Sequence, residues 1–282
     1  SGDRPAGARS GRELIAAKGA VVGMLEGLRS IRGVLKSLRI YYGDRGHRDG
    51  LERLYRRFVR KGDLVFDIGA HVGDRVGVFR RIGARVVAVE PQPALVAMLR
   101  LIYGRDRAVA IEPSAVGRAE GFVDLLINPT VSTASRAFVA AADGAKGWEG
   151  QRWNGRIRVP MTTLDALIAR HGAPAFAKID VEGFEAEALA GLGRALPALS
   201  FEFTTIQRDV ALAALDRCIA LGYARFAASL GETHVFAHER WLAAEEMRRW
   251  LAGLPHDANS GDVYAAMSTA PSILEGEGRR GG

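Results

Sequence analysis

Residues 64 to 90, LVFDIGAHVGDRVGVFRRIGARVVAVE, run from a short apolar segment through a glycine turn and a helix-length stretch into a second apolar segment ending at Glu90. Two strands in that order, joined by a crossover helix, form a parallel βαβ unit. In the turn Asp67-Ile68-Gly69-Ala70-His71-Val72-Gly73, the glycines let the backbone approach a ligand at the carboxyl end of the strand. That is where open parallel sheets bind ligands. The next strand, Val86 to Val89, carries Glu90 at its end, placed to accept hydrogen bonds from both hydroxyls of an unphosphorylated ribose.

A dinucleotide fingerprint needs Gly-x-Gly-x-x-Gly, and here the middle glycine is missing. Asp67, two positions before the first glycine, would repel a pyrophosphate but suits a cationic amino-acid group. S-adenosylmethionine has that pattern: an ammonium, a sulfonium and a ribose. The competing reading uses the glycines only to pack strand against helix. A second element, Ala177-Lys178-Ile179-Asp180-Val181-Glu182-Gly183-Phe184-Glu185, places carboxylates and a glycine at the end of another apolar strand.

With these elements in place, the chain resembles the FkbM family of S-adenosylmethionine-dependent methyltransferases. The resemblance rests on Asp67 to Gly73, Glu90-Pro91, Thr163-Leu164-Asp165 and Lys178 to Gly183, in that order, over roughly residues 62 to 205 and more loosely to about 268. It implies a Rossmann-like class I α/β fold, with a mainly parallel seven-stranded sheet and helices on both faces. It also implies methyl transfer to a hydroxyl, often on a sugar or natural product. His71 departs from the Asn common in the family. The candidate cofactor-binding set is Asp67, Gly69, Ala70, His71, Gly73, Glu90, Pro91 and Asp180, with Ser114 after the third strand facing the adenine.

Methyl transfer from a sulfonium is an in-line displacement, so the enzyme mainly aligns the reacting atoms. A hydroxyl acceptor also needs a base, worth ~10² to 10⁴ in rate. The catalytic candidates are Asp180, Glu182 and Glu202, with His71 as a further possible base; Asp180 and Glu182 are favoured because they end the strand expected beside the cofactor turn. Otherwise Asp180 only caps the following helix and Glu182 faces solvent. Asp180, Glu182 and Glu202 also offer oxygen ligands for Mg²⁺, but oxygen donors on two strand ends are a weak signal, and no metal site is assigned. His234 and His238 flank a run read as a strand, so no zinc site is assigned either.

The expected order is strand 64–68, helix 74–82, strand 85–90, helix 93–103, strand 108–112 and a β segment at 121–127. A polar stretch from 128 to 155 precedes strand 156–160, helix 163–170, strand 175–180, helix 184–193, strand 198–204 and helix 209–221. Strands near 223–229, 233–237 and 262–268 complete it, with an antiparallel hairpin at one edge. Within the polar stretch, Asn128, Ser132, Thr133 and Ser135 are candidates for acceptor recognition. Trp148 and Trp153 would stack on sugars or fasten the loop, and Arg136 and Lys146 could meet an anionic substituent.

Three segments are expected: a basic helical extension over 1–60, a methyltransferase domain over 61–270 and a flexible tail over 271–282. Residues 1–60 hold 14 Lys+Arg and 6 Asp+Glu, a net of +8, whereas the remaining 25 basic and 26 acidic residues nearly cancel. Arg29, Arg32, Lys36 and Arg39, then Arg53, Arg56, Arg57 and Arg60, recur near helical spacing, giving two amphipathic helices joined at Tyr42 to Gly46. They form either a solvated cap or a surface for anionic lipid or substrate. The single cysteine, Cys218, excludes an internal disulfide, is expected in the core, and suits a reducing cytoplasm. No membrane span or export signal is apparent, so a cytoplasmic chain is expected. The expected partner is a glycan or small-molecule acceptor. The alternatives are a nucleic-acid methyltransferase, for which no recognition motif is seen, and an inactive cofactor-binding scaffold tethered through the basic helices.

Overall fold

The computed structural model describes residues 45–128 and 131–268. The first amphipathic helix with Arg29, Arg32, Lys36 and Arg39, most of the 1–60 extension, and the 271–282 tail lie outside the described residues.

Chain order begins with helix α1 (Arg45–Tyr55), β1 (Leu64–Ile68), α2 (Asp74–Ile82), β2 (Arg85–Val89), α3 (Pro93–Tyr103) and β3 (Val109–Glu112). Two short strands, β4 (Ala115–Val116) and β5 (Gly121–Ile127), lead to α4 (Arg136–Ala142) and β6 (Gly155–Thr162). The chain then forms α5 (Leu164–His171), β7 (Phe176–Ile179), α6 (Glu185–Ala190), β8 (Ala198–Thr204), α7 (Arg208–Ala220), β9 (Arg225–Leu230), α8 (Ala244–Gly253) and β10 (Ser260–Ala266).

The main sheet has seven strands in the order β3-β2-β1-β7-β8-β10-β9. Its first five strands are parallel, and β10 lies antiparallel between β8 and β9. All five residues of β1 are buried, as a central parallel strand covered on both faces requires. One face carries Leu51, Leu54 and Tyr55 of α1 with Phe79 of α2 and Leu99 of α3. The other carries Leu167 of α5, Leu189 of α6, Leu215 of α7 and Leu251 of α8. Each such large apolar side chain contributes roughly 1.5–3 kcal/mol on burial. A smaller sheet, β4-β6-β5, grows from the insertion before α5. No helix among the described residues is long and apolar enough to cross a membrane.

Several expectations change. The strand near 233–237 does not form: Gly231 and His234 turn the backbone to φ 49 and 56, and β10 takes up the inner edge of β9. Only isolated bonds, such as Ala237 N–H to Ala228 O at 2.7 Å, tie the segment to the outer edge. The edge is antiparallel as expected, but it is made by β10 inserting between β8 and β9. The polar stretch contains α4, started by Ser135, whose hydroxyl accepts Phe138 N–H at 3.1 Å. Helix α8 lies in a stretch left unassigned from sequence, with Glu246 accepting Ala243 N–H at 2.9 Å across its first turn. Arg45 and Gly46 belong to α1 rather than to a joint. Because α1 packs into the sheet's core, residue 60 does not mark the edge of that core. The basic residues that follow α1 are partly engaged: Arg56 pairs with Glu52 at 2.7 Å, and Arg57 lies 5.4 Å from the Phe236 ring centre. Cys218 is fully buried, as expected.

Candidate active site

The direction of strand succession reverses between β1 and β7, where crossovers leave on opposite sides and the carboxyl ends part into a crevice. Ile68, Val89 and Ile179 are in register there, so the turns after β1, β2 and β7 converge. Gly69 has φ 85, and a Cβ on it would overlap the carbonyl oxygen of Asp180, so only glycine permits this approach. Gly69 and Ala70 N–H both donate to Val89 O, at 2.9 and 3.0 Å. His71 has φ 49, in the left-handed region where Asn and His are both enriched, which accounts for the departure from Asn. Its backbone N–H donates to Glu90 Oε2 at 3.0 Å, while Gln92 N–H donates to Oε1 at 2.8 Å. Burial pushes Glu90 up to about 7, against the opposing pull of those two N–H groups.

Asp180, Glu182 and Glu202 bring carboxylate oxygens within 4.8 Å of one another. The loop carrying the first two is held by Glu185, which accepts Val181 N–H at 3.0 Å and Gly183 N–H at 3.2 Å. Thr133 donates its hydroxyl to Glu182 O at 2.6 Å, tying the insertion to the same loop. Glu182 has φ 54, a conformation costing a non-glycine residue ~1–2 kcal/mol. Beneath them the fully buried Lys178 ammonium bonds Asp180 Oδ2 at 3.2 Å and Asp262 Oδ1 at 2.8 Å. Burial alone would raise Asp180, but Lys178 and Arg75 hold it below the ordinary carboxylate range. Glu182 and Glu202 move the other way, raised by burial and by the Asp180 charge.

The cleft above these groups is lined by Gly69, Ala70, His71, Glu90, Pro91, Ser114, Asp180 and Glu182, eight of the residues expected from sequence. Three others stand back. Asp67 lies buried in the sheet, with burial raising it to about 7; Gly73 packs against Tyr103; and Glu202 supports Asp180 from the neighbouring strand. Ser114 is buried, and its hydroxyl has no hydrogen-bond partner among the described residues. The insertion contributes Leu125, Ser132 and Ala134 to the wall. Trp148 and Trp153 pack edge-on against Phe138, and Trp153 Nε1–H bonds Val131 O at 2.7 Å, so they fasten the loop. Asn128 and Ser135 likewise serve loop and helix-cap hydrogen bonds, whereas Arg136 and Lys146 are exposed. Thr163 caps α5 and Asp165 accepts Gly193 N–H at 3.0 Å, both structural roles.

Sequence reasoning missed Asp74, Arg75, Gln92 and Phe184, which also line the cleft. The available signal was adjacency: Asp74 and Arg75 open the helix after Gly73, and Gln92 follows Glu90-Pro91.

The methyltransferase FkbM domain profile matches residues 67–259. The hexuronic acid methyltransferase AglP of Haloferax volcanii is 25% identical over 169 residues, spanning 59% of this chain and 64% of that protein. A precorrin-6y C5,15-methyltransferase from Geobacter metallireducens aligns over 77% of this chain and 86% of that one, at 14% identity and a TM-score of 0.39. A SAM-dependent O-methyltransferase from Thermotoga maritima aligns over 78% and 64%, at 11% identity and a TM-score of 0.39. Since the domain match takes in well over half of the chain, from the end of β1 to the residue before β10, this protein belongs to the FkbM methyltransferase family.

Proposed function

We propose that the chain methylates a hydroxyl of a sugar, a glycan or a glycosylated natural product, with the carboxylates of Asp180, Glu182 and Glu202 managing the hydroxyl proton. The observation that carries this reading is the convergence of those three groups at the end of the cleft that Glu90 lines.

The cleft suits the cofactor on three grounds. Glu90 keeps acceptor capacity beyond its two backbone N–H bonds, Ser114 has a hydroxyl without a hydrogen-bond partner among the described residues, and Gly69 lets the turn after β1 close onto the Asp180 loop at the centre. Bound S-adenosylmethionine supplies a methyl carbon activated by a sulfonium. Glu90 is assigned to the ribose hydroxyls, Ser114 to the base, and the turn from Gly69 to His71 to the middle of the molecule. Pro91 shapes the wall beside Glu90.

Glu182 is assigned as the base. Its raised pKa brings it nearer the operating pH, where a carboxylate takes up a proton more effectively. Asp180, kept ionised by Lys178, orients the hydroxyl by accepting from it. Glu202, raised by burial and the Asp180 charge, shares a hydrogen bond with Asp180 and fixes its rotamer. The acid–base route is preferred over a Mg²⁺ ion on the three carboxylates because the Lys178 ammonium already occupies the cationic position beside Asp180. The sugar acceptor is supported by the name of the Haloferax volcanii relative.

The test pairs calorimetry with S-adenosylhomocysteine against turnover on a panel of sugars that includes hexuronic acids. Asp180→Asn and Glu182→Gln should retain binding and lose ~10² to 10⁴ in kcat. Glu90→Ala should lose binding. The reverse pattern would overturn the assignment of roles.

A further inference from the structure

A second cluster lies behind the cleft wall. His47 on α1 and His234 in the segment after β9 are 187 residues apart in sequence, yet their ring nitrogens, Nδ1 and Nε2, are 3.0 Å apart. Glu232 Oε2 is 3.8 Å from the same His234 nitrogen. One ligand-type atom from each of the three residues lies within 4.8 Å of the others. We propose that His47, Glu232 and His234 bind one divalent transition-metal ion of the zinc type, which fastens α1 to the segment after β9.

The distances suit the ion. With metal–nitrogen bonds of ~2.0–2.1 Å in a tetrahedral shell, neighbouring donor atoms stand roughly 3.3 Å apart, so the two rings need to part by only a few tenths of an ångström. The other ring nitrogen of His47, Nε2, lies 3.9 Å from Asp74 Oδ2, within ion-pair range, while Nδ1 is the nitrogen that faces His234.

The backbone is shaped for the same juxtaposition. His234 adopts φ 56, strained for a residue with a Cβ, and this turns its ring onto α1. Gly50, one helical turn beyond His47, faces that ring: a Cβ at this position would stand 3.1 Å from His234 Cδ2. A glycine inside a helix costs about 1 kcal/mol relative to alanine, and here it makes room for the imidazole.

Charge also permits the ion. Arg75 bonds Asp74 at 3.2 Å and Glu232 Oε1 at 3.4 Å, which leaves Glu232 Oε2 directed to His234. Two carboxylates and one guanidinium leave a single net negative charge around the two imidazoles. The histidine side chains are 13% and 8% exposed, but Glu232 is 53% exposed, so an ion can enter from its side and keep a water as fourth ligand. Two nitrogen donors and one oxygen select zinc-type ions over the hard cations suited to the Asp180 cluster. Asp74 and Arg75 also line the cleft, so the ion sits one residue behind its wall.

Cobalt(II) is the probe, because imidazole-ligated tetrahedral cobalt absorbs in the visible. The full chain, stripped with EDTA, should take up one equivalent of Co²⁺ with a ligand-field band that one equivalent of Zn²⁺ abolishes. His234→Ala should remove the band. Glu232→Gln, a change at an exposed side chain that should leave folding intact by circular dichroism, should weaken binding at least the roughly 10- to 100-fold that loss of an outer-shell partner gives. Asp180→Asn should leave the titration unchanged, which separates this site from the proposed catalytic carboxylates. Zinc should raise the melting temperature of the parent chain and not of Glu232→Gln. Absence of a band at equimolar Co²⁺, or a band that Glu232→Gln leaves unaltered, would overturn the site.

Discussion

Replacing Lys178 with Met gives the sharpest test of how the acidic floor is held together. The ammonium is fully buried and contacts Asp180 at 3.2 Å and Asp262 at 2.8 Å. Burial alone would favour its neutral form; the two carboxylates keep it charged, above its ordinary range. Methionine fills similar space but leaves both carboxylates without their cation, and loss of one member of a buried pair costs ~3–5 kcal/mol. Against a total stability of roughly 5–15 kcal/mol, that is a large share. The cost should depend on pH. In the parent, Asp180 is depressed below its unfolded value of about 3.9, so it stabilises the fold above that pH and loses this contribution as pH falls through the depressed value. In Lys178→Met, Asp180 keeps only Arg75 and the Glu202 hydrogen bond against burial, so it becomes a weaker acid and the native state loses about 1.4 kcal/mol of that stabilisation for each tenfold weakening. Urea denaturation of both proteins should therefore show a difference that is already present near pH 4 and grows toward pH 8. A difference below ~1 kcal/mol, flat across that range, would refute the reasoning.

In its proposed role Glu90, raised to about 7 by burial, would accept ribose hydroxyls best when ionised, so S-adenosylhomocysteine affinity should fall as pH drops below 7 and level off above it. Calorimetry from pH 5.5 to 8.5 checks this, and Glu90→Gln should remove the Glu90 contribution to the slope; an unchanged slope in that variant would assign it to another group, such as Asp67. Gly69→Ala meets both φ 85 and the Asp180 carbonyl, so it should weaken S-adenosylhomocysteine binding at least tenfold and destabilise the fold by at least ~1–2 kcal/mol. Melting curves and titration of that variant would contradict the cradle if both stayed at parent values.

Much of this was legible in the chain because the signals were local. The turn from Asp67 to Gly73 and the strand ending at Glu90 lie within one βαβ unit, and the Asp180 to Gly183 loop follows its strand directly. What escaped depends on contacts between distant segments. Nothing near Lys178 reveals that its ammonium meets Asp262, 84 residues on. Nor does the pattern around Asp67 disclose that the carboxylate stays under the sheet rather than reaching the cleft wall. The strand expected at 233–237 failed for a related reason: Val235 and Phe236 are good strand formers, but His234 turns left-handed and β10 already holds the inner edge. Local propensity yielded to tertiary pairing there.

The placement of charge also bears on which ligand the cleft favours. Asp67, Glu90, Asp180, Glu182 and Glu202 gather at or beneath one strand-end crevice, where Lys178 and Arg75 are the cations that lower values within the group. Fully ionised, those seven groups would carry a net charge of −3 in a region largely shielded from water. Burial, with a smaller contribution from neighbouring carboxylates, raises Asp67, Glu90, Glu182 and Glu202 and so weakens them as acids. Such a floor is poised to gain from a cation, because each positive charge brought in lets a carboxyl ionise at less cost. In the proposed reading the sulfonium of the cofactor brings such a charge and its demethylated product does not, so S-adenosylmethionine should bind more tightly than S-adenosylhomocysteine, which paired titrations of the two would check.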